Sequence, residues 1–302
     1  MNAPPFPTNP SVGEWFGSWV WNGARWVCGP SAGVRVITTV FTSDGPYQPS
    51  PGLVSLVVEC IGGGGAGGFV TSAVANQFIA GGGGGSGGYS RKTLAAALVA
   101  GGVVVTVGGG GGLGGTGGTG GEGAPTSFGA FCVANPGMGG GANDATNYFG
   151  ISGLGATPGS GDIAWPGASG QPGELIENIV GTQYSSAQGG IGGHGMAGGT
   201  RVEDVGVGGA STGLGAYNGT GAGGSGACVN QKIDANVAGG PGGSGICIVT
   251  EYCWADVNAD EDCLNPAVKV DARVAVTNVP WPGDPCQPGP CPPGWGQLGY
   301  DP

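Results

Sequence analysis

The chain has 302 residues, of which 75 are glycine and only 9% are charged, with a formal net charge of −11. This composition fits neither an ordinary globular domain nor a charge-rich disordered segment. An acidic chain poor in Lys and Arg also lacks the electrostatic footprint for nucleic acid or for an anionic membrane surface.

The chain opens on MNAPPFPTNP, which has neither the basic nor the apolar region of a secretory signal; synthesis in a reducing cytoplasm is the expectation. Residues 1–32 then read as a separate Trp-rich module. Asn22-Gly23 is a two-residue hairpin signal, and taking it as the turn pairs Trp21 with Ala24, Val20 with Arg25 and Trp19 with Trp26. Trp19, Trp21 and Trp26 then share one face of an element too small to be stable alone. Such a platform either docks onto an assembly or forms a small local core.

Residues 33–60 predict two strands. GVRVITTVFTSDG ends in the turn signal Asp44-Gly45-Pro46, and in PSPGLVSLVVEC the residues Val54, Leu56 and Val58 alternate with Ser55, Val57 and Glu59. Glycine-rich sequence follows at once. Its densest stretch, GGGGGLGGTGGTGGEG from Gly108 to Gly123, repeats glycine at two positions in three, with Leu113, Thr116, Thr119 and Glu122 at the third. A period of three fits neither an α-helix nor a strand. It fits the left-handed polyproline II helix, with three residues per turn and about 3.1 Å rise.

Such a helix has two bare faces, so neighbouring backbones can approach until N–H of one meets C=O of the next. Gly108–Gly123 is therefore expected to be one rod and the organising unit of a polyglycine II bundle. GGIGGHG (Gly189–Gly195) and GGPGGSG (Gly239–Gly245) repeat the pattern, and shorter pieces lie at Gly62–Gly68, Gly81–Gly88, Gly137–Gly141 and Gly221–Gly226. Collagen needs one glycine per triplet in unbroken register. Flexible linkers lack apolar brackets such as VSLVVEC, VVVTV and ICIVTEY, which flank these rods. Ordering a residue costs about 1–2 kcal/mol and a hydrogen bond returns only about 0.5–1.5. Each rod accordingly needs neighbours on several sides and strands clamping its ends.

Between the rods glycine thins out at Val70–Ala80, Asn143–Ile151, Ile163–Ser186 and Arg201–Val207. These predicted loops carry Phe78, Tyr148, Phe149, Trp165 and Tyr184 among polar residues, a composition suited to sugar or protein contact. The other reading is that the rings fill gaps that glycine leaves between rods. After Tyr252 an acidic, Cys- and Pro-rich segment, 253–302, holds one predicted strand within Val268–Val279.

Motifs for chemistry are weak. Gly62, Gly64 and Gly67 satisfy GxGxxG after a strand, but more glycine follows where a dinucleotide fingerprint needs a helix. His194, the single histidine, sits inside GGIGGHG without the context of a catalytic triad. Asp256, Asn258, Asp260 and Asp262 have the oxygen spacing of a calcium loop, yet Glu261 and Ala267 stand where Gly and Glu are needed. The nine cysteines include no CxxC pair. Most of the upstream cysteines, at 28, 60, 132, 228 and 247, sit beside apolar or glycine-rich sequence and read as small buried hydrophobes, whereas Cys253, Cys263, Cys286 and Cys291 cluster as candidates for oxidation outside a cell. No catalytic, cofactor-binding or metal site is assigned.

The succession VFTSDGPYQPSPGLVSLVVECIGGGGAGG, GGGGGSGGYSRKTLAAAL, VVVTVGGGGGLGGTGG, APTSFGAF and GGSGICIVTEY, over about residues 40–252, resembles the glycine-rich domain of bacteriophage fibre and adhesin proteins. It is similar also to the polyglycine-sandwich adhesins at the tips of long tail fibres. FPTNPSVGEWFGSWVWNGARWV looks like short N-terminal modules of phage structural proteins. The many cysteines and the long segment after Tyr252 depart from the pattern.

The expected fold is mainly β and irregular: a polyglycine II bundle bracketed by β-strands, with an N-terminal Trp-rich hairpin and little or no α-helix. It divides into three parts, 1–32, 33–252 and 253–302. The resemblance implies a non-enzymatic virion protein, a tail-fibre or adhesin subunit docked by Trp19, Trp21 and Trp26 and turned by its loops to a host receptor. Its implied partners are other virion proteins and that cell-surface receptor, with a homo-oligomer, such as a trimer, as the assembly. Neither nucleic acid nor membrane insertion is expected. A capsid-decorating or head-fibre protein of the same fold is the alternative. A glycan-cleaving enzyme is a third, and the sequence offers it no paired-carboxylate constellation.

Overall fold

A computed structural model of the protein describes residues 9–11, 14–16, 19–21, 26–28, 34–70, 78–113, 118–141, 150–177, 183–186, 209–230, 236–254 and 273–276. At the N-terminus β1 (Trp15–Phe16), β2 (Trp19–Trp21) and β3 (Trp26–Cys28) form an antiparallel sheet of their own. Its register sets Trp21 opposite Trp26 and Trp19 opposite Cys28. This corrects the expected pairing of Trp21 with Ala24, Val20 with Arg25 and Trp19 with Trp26; residues 22–25 lie outside the described residues. Trp19, Trp21 and Trp26 still occupy alternate positions of one ladder.

From β4 (Val34–Phe41) onward, strands and glycine rods alternate along the chain. β5 (Gly45–Tyr47) and β6 (Leu53–Ile61) lead to rod 62–68. β7 (Phe78–Ala80) enters rod 81–88, which continues into β8 (Tyr89–Ala95), the short helix α1 (Ala96–Val99) and β9 (Val103–Thr106). Rods 108–113 and 118–124 precede β10 (Thr126–Phe128) and β11 (Cys132–Ala134); rods 135–141 and 150–156 precede β12 (Ile163–Trp165). Rod 166–173 runs into β13 (Glu174–Glu177) and β14 (Gln183–Ser186). β15 (Ala210–Ser211), rods 212–217 and 221–227 and β16 (Cys228–Asn230) follow, then rod 238–245, β17 (Ile246–Trp254) and β18 (Arg273–Val276). Among the described residues α1, of four residues, is the one helix.

The strands at one end of the rods form a sandwich. A six-stranded sheet, β12-β8-β6-β17-β4-β18, packs on a four-stranded sheet, β11-β10-β9-β5. The predicted alternation of β6 holds from Leu56 onward, whereas Val54, expected in the same row, is 41% exposed beside a register shift between Tyr252 and Cys253: Leu56, Val58 and Cys60 turn inward and meet Val105, Phe128 and Tyr47 from the facing sheet, all 3% exposed or less. Burying each such large apolar side chain contributes about 1.5–3 kcal/mol. That apolar core offsets part of the entropy that the glycines lose on ordering.

The rods themselves show the three-residue screw directly. Gly62, Gly65 and Gly68 donate to the carbonyls of Gly88, Gly85 and Gly82; Gly63 and Ala66 donate to Ala124 and Gly121; Gly64 and Gly67 donate to Gly243 and Gly240, all at 2.7–3.0 Å. Every third N–H therefore points the same way, as in polyproline II geometry. The carbonyls of rod 62–68 accept in turn from Gly111, from Gly137 and Gly140, and from Gly224 and Ala227. It thus donates to three antiparallel rods and accepts from three parallel ones, a hexagonal surround with no side chain in the way.

Three expectations change. The centre of the lattice is rod 62–68, whose residues are all buried, in place of Gly108–Gly123. Nor is Gly108–Gly123 one rod: Gly121 donates to Gly112 at 3.0 Å and Ala124 to Gly109 at 2.9 Å, so the stretch doubles back, with residues 114–117 outside the described ones. At about 3.1 Å per residue a straight 108–123 would reach roughly 50 Å, more than twice the length of rod 62–68, and its end would find no neighbours to bond.

Finally, the predicted loops Asn143–Ile151 and Ile163–Ser186 give way in part to rods 150–156 and 166–173. Edge rods need glycine only on faces that touch a neighbour. A Cβ on Gly153 would sit 2.3 Å from the Met138 carbonyl oxygen, whereas Ile151 and Leu154 project into solvent. GGIGGHG, with His194, lies outside the described residues.

Candidate functional site: the loop end of the bundle

Hydrogen-bond partners fix the direction of every rod. Rod 62–68 leaves the sandwich from β6; rods 135–141 and 221–227 bond to it in parallel, rods 81–88, 118–124 and 238–245 in antiparallel fashion. Rod 150–156 runs antiparallel to 135–141, 166–173 antiparallel to 150–156, and 212–217 parallel to 238–245. The bundle therefore has two unlike ends.

At the sandwich end the crossovers are strands, α1 and the tight turn 218–220. At the far end the chain leaves at 70, 113, 141, 177, 186 and 230 and is next described at 78, 118, 150, 183, 209 and 236. Of the glycine-poor segments expected to be loops, Val70–Ala80 and Asn143–Ile151 have their described residues at this end, and Arg201–Val207 lies outside the described residues.

A small β-layer seals the bundle beneath them. β7, β16 and β15 form a three-stranded sheet, and Val70 bridges Val237. Val70, Ile79, Ala227, Val229 and Val237 pack there as a second core, each at most 8% exposed. The rods are thus clamped at both ends, as their weak individual stability requires. The loop end has a rigid floor.

The residues singled out from sequence are scattered with respect to this floor. Phe78 begins β7 and Tyr184 lies on β14, both at the loop end. Tyr148 and Phe149 lie outside the described residues. Trp165 is at the opposite end, on β12 at the edge of the sandwich, 48% exposed and stacked on Tyr89 with ring centroids 5.3 Å apart. Its placement separates it from the other rings. Sequence reasoning passed over the rows of side chains on the outermost rods: Ile151 and Leu154 on one flank, Leu214 and Tyr217 on another, each pair three residues apart and well exposed. The signal was present, a period of three with apolar residues at the third position, but low glycine content hid it.

The N- and C-terminal segments join the described strands at the sandwich end. Val34 begins β4, Trp254 ends β17, and the two are register partners. The docking candidates Trp19, Trp21 and Trp26 precede Val34 along the chain. Of the C-terminal segment, β18 returns to pair in parallel with β4, within the predicted strand Val268–Val279. The candidate calcium loop Asp256–Asp262 and Cys263, Cys286 and Cys291 lie outside the described residues.

Polar groups in the described part act as cross-links. Glu251, 2% exposed, accepts from the Tyr47 hydroxyl at 2.6 Å, the Ser50 N–H at 2.9 Å and Ser50 Oγ at 2.6 Å. Burial, then this hydrogen bond to Glu251, pushes the Tyr47 phenol well above its usual range. Tyr89 is raised in the same way by burial and by its hydrogen bond to Glu59. Lys92 Nζ lies 2.6 Å from Asp162, whose second oxygen accepts the Thr93 N–H, and Lys92 holds the Asp162 carboxyl below its ordinary value.

Of the upstream cysteines, those at 60, 132, 228 and 247 are buried, with Cys60 Sγ 3.6 Å from Cys247 Sγ. Cys253 is buried as well, on β17, and so parts from the C-terminal cluster to which its spacing assigned it. The glycines of the GxGxxG match are consumed by the lattice. A Cβ on Gly62, Gly64 or Gly67 would meet a carbonyl oxygen at 2.1 Å or less, and no helix follows.

Residues 40–252 match a family model described as a glycine-rich domain. The chain belongs to this glycine-rich domain family. A search of curated proteins finds no match. The matched span starts in β4 and ends in β17, so the family unit is the rod lattice with the two central strands that frame it. No helix among the described residues is long and apolar enough to cross a membrane.

Proposed function

We propose that this glycine-rich domain protein is a structural virion protein of a bacteriophage, a tail-fibre or adhesin subunit that attaches by its N-terminal module and presents the loop end to a host receptor. The observation that carries the proposal is the polarity of the bundle. β4 and β17, which carry the N- and C-terminal connections, lie in the sandwich, and at the other end the described rods break off around a small β-floor. A scaffold of this kind separates attachment from recognition, because loops on a rigid support can vary without disturbing the core. The rod lattice supports it further, since side chains are nearly absent between rods and adaptable chemistry is left to the crossovers. The sequence resemblance to phage fibre and adhesin proteins supplies the biological setting, and the partners are other virion proteins and a cell-surface receptor.

Immunogold electron microscopy of phage particles, with one antibody against residues 1–30 and another against a peptide from 142–149, tests the reading. Gold from the second antibody at the distal tips of tail fibres is the expected result. Labelling over the head would favour a capsid-decorating protein of the same fold, and unlabelled particles would refute a virion role.

A further inference from the structure

We propose that Cys60 and Cys247 are a modification site, the two halves of a cross-strand disulfide that closes when the chain folds in contact with a low-molecular-weight disulfide such as oxidised glutathione. Both are fully buried thiols in this structure, and Cys60 Sγ lies 3.6 Å from Cys247 Sγ. They are register partners on β6 and β17, and both turn into the sandwich core. The ladder decides which kind of pair they make. Gly62, two residues on from Cys60, donates to the Gly88 carbonyl, whereas the Thr93 N–H and the Arg91 carbonyl turn away from β6 to Asp162. Successive residues of a strand bond to opposite neighbours. Cys60 therefore bonds toward β8 and faces Cys247 in a non-hydrogen-bonded pair, with Cα atoms about 4.5 Å apart. A disulfide spans Cα separations of about 4.4–6.8 Å. Rotation of the two side chains about Cα–Cβ joins the sulfurs and leaves the strands in place.

Packing alone does not call for thiols here, since the next inward pair on the same two strands is Val58 with Val249. Cys60 precedes the last residue of β6, and Cys247 follows the first residue of β17. The bond would thus clasp the roots of rods 62–68 and 238–245, the centre of the lattice and one of its antiparallel neighbours. Cys132 is the competing thiol. Its carbonyl accepts weakly from Cys60 Sγ at 3.9 Å, but it stands on β11 in the facing sheet, where no ladder holds it opposite Cys60. The exchange proceeds in two steps. In the open chain one of the two thiols attacks the small disulfide, forming a mixed disulfide and releasing one small thiol. Once β6 and β17 pair, the other protein thiol attacks the protein sulfur of that mixed disulfide and releases the second small thiol. Two protons pass from the two protein thiols to the two small ones. Burial then keeps reductant from the finished bond. The two cysteines are 187 residues apart, so the link removes much of the freedom of the unfolded chain. The inference concerns the root of the lattice and stands whether or not the protein is a virion component.

The test refolds the full chain from urea with excess oxidised glutathione, or with reduced glutathione as control, and then blocks free thiols with N-ethylmaleimide. Peptide mass spectrometry without reduction reads the links, and calorimetry reads the melting temperature. The expected result is a peptide pair joining Cys60 to Cys247, with both cysteines labelled after unfolding in the reduced control. Oxidation raises Tm by on the order of 10 °C. Cys247→Ala abolishes that rise, and Cys228→Ala, in the core at the other end of the rods, leaves it intact. Where refolding fails, the never-denatured chain held in the same buffer with sub-denaturing urea, in which local opening admits the reagent, gives the same link. Both thiols still free after oxidation overturn the proposal. So does a link from Cys60 to Cys132 in place of Cys247, or a Cys60–Cys247 bond that leaves Tm unchanged, which would mean that it clasps nothing.

Discussion

Gly64→Ala and Gly109→Ala add the same methyl group to two glycines of one lattice and should move stability in opposite directions. A Cβ on Gly64 would lie 2.0 Å from the Ala222 carbonyl oxygen and 2.4 Å from its carbon. Both are backbone atoms of rod 221–227, so no side chain can swing aside. Restoring an ordinary contact near 3.4 Å moves that rod outward by about 1.4 Å, which breaks hydrogen bonds at this distance. Two bonds tie it to rod 62–68, from Gly224 to Gly65 at 2.9 Å and from Ala227 to Gly68 at 3.1 Å. Leaving buried partners unsatisfied costs about 1–3 kcal/mol each, or roughly 2–6 kcal/mol for the pair. At about 2–4 °C per kcal/mol, Tm should fall on the order of 10 °C.

Gly109 is the counterpart. Its Cβ would meet nothing within 4 Å, and its φ is not positive. There the substitution acts mainly on the unfolded chain and should stabilise by about 0.4–1 kcal/mol. Differential scanning calorimetry of the two purified variants reads both effects. Similar shifts in the two, or a Gly64→Ala variant within about 1 °C of the parent, would refute the lattice reasoning.

Glu251→Ala removes the acceptor for Tyr47 and Ser50 and should lower stability by about 3 kcal/mol in urea unfolding, with Glu251→Gln milder because its amide oxygen still accepts; equal losses would show that the carboxylate is not the organising group. Tyr47, Tyr89 and Cys132 all hold their protons in the fold more tightly than the ordinary values of 10.0, 10.0 and 9.0. Their contribution is therefore fully present below those values and is lost as pH rises beyond them, so the urea midpoint should fall as pH rises above about 9; a flat or rising midpoint would contradict this. Cys60, Cys132, Cys228, Cys247 and Cys253 should resist iodoacetamide in the native protein and label on unfolding, as read by peptide mass spectrometry, since all five are fully buried. Deleting residues 1–30 should leave the melting of the rod lattice nearly unchanged and abolish incorporation into particles. Unfolding of the remainder would instead make Trp19, Trp21 and Trp26 part of its core.

The chain by itself determined what is local. A period of three with two glycines per triplet permits only a helix with bare faces, and the valine-rich brackets at LVSLVVECI and ICIVTEYCW specify strands with an apolar inner row. Those features were legible, as was the burial of Cys60, Cys132, Cys228 and Cys247. Which rod stands at the centre was not. Gly62–Gly68 is shorter and less regular in sequence than Gly108–Gly123, yet β6 and β17, paired side by side, deliver it and rod 238–245 into the middle of the lattice. Central position is a property of six neighbours drawn from along the chain, and no local repeat encodes it. The doubling-back of 108–124 has the same origin, because a rod can extend only as far as its neighbours do. Rods 150–156, 166–173 and 212–217 escaped notice because an edge rod needs glycine only where another backbone touches it; toward water Ile151, Leu154 and Leu214 fit as readily as hydrogen. The pairing of Trp21 with Trp26 likewise overrode the strongest turn dipeptide in the chain. The polarity of the lattice, with rods leaving the strand sandwich and returning to it, follows from directions that only the tertiary hydrogen bonds decide.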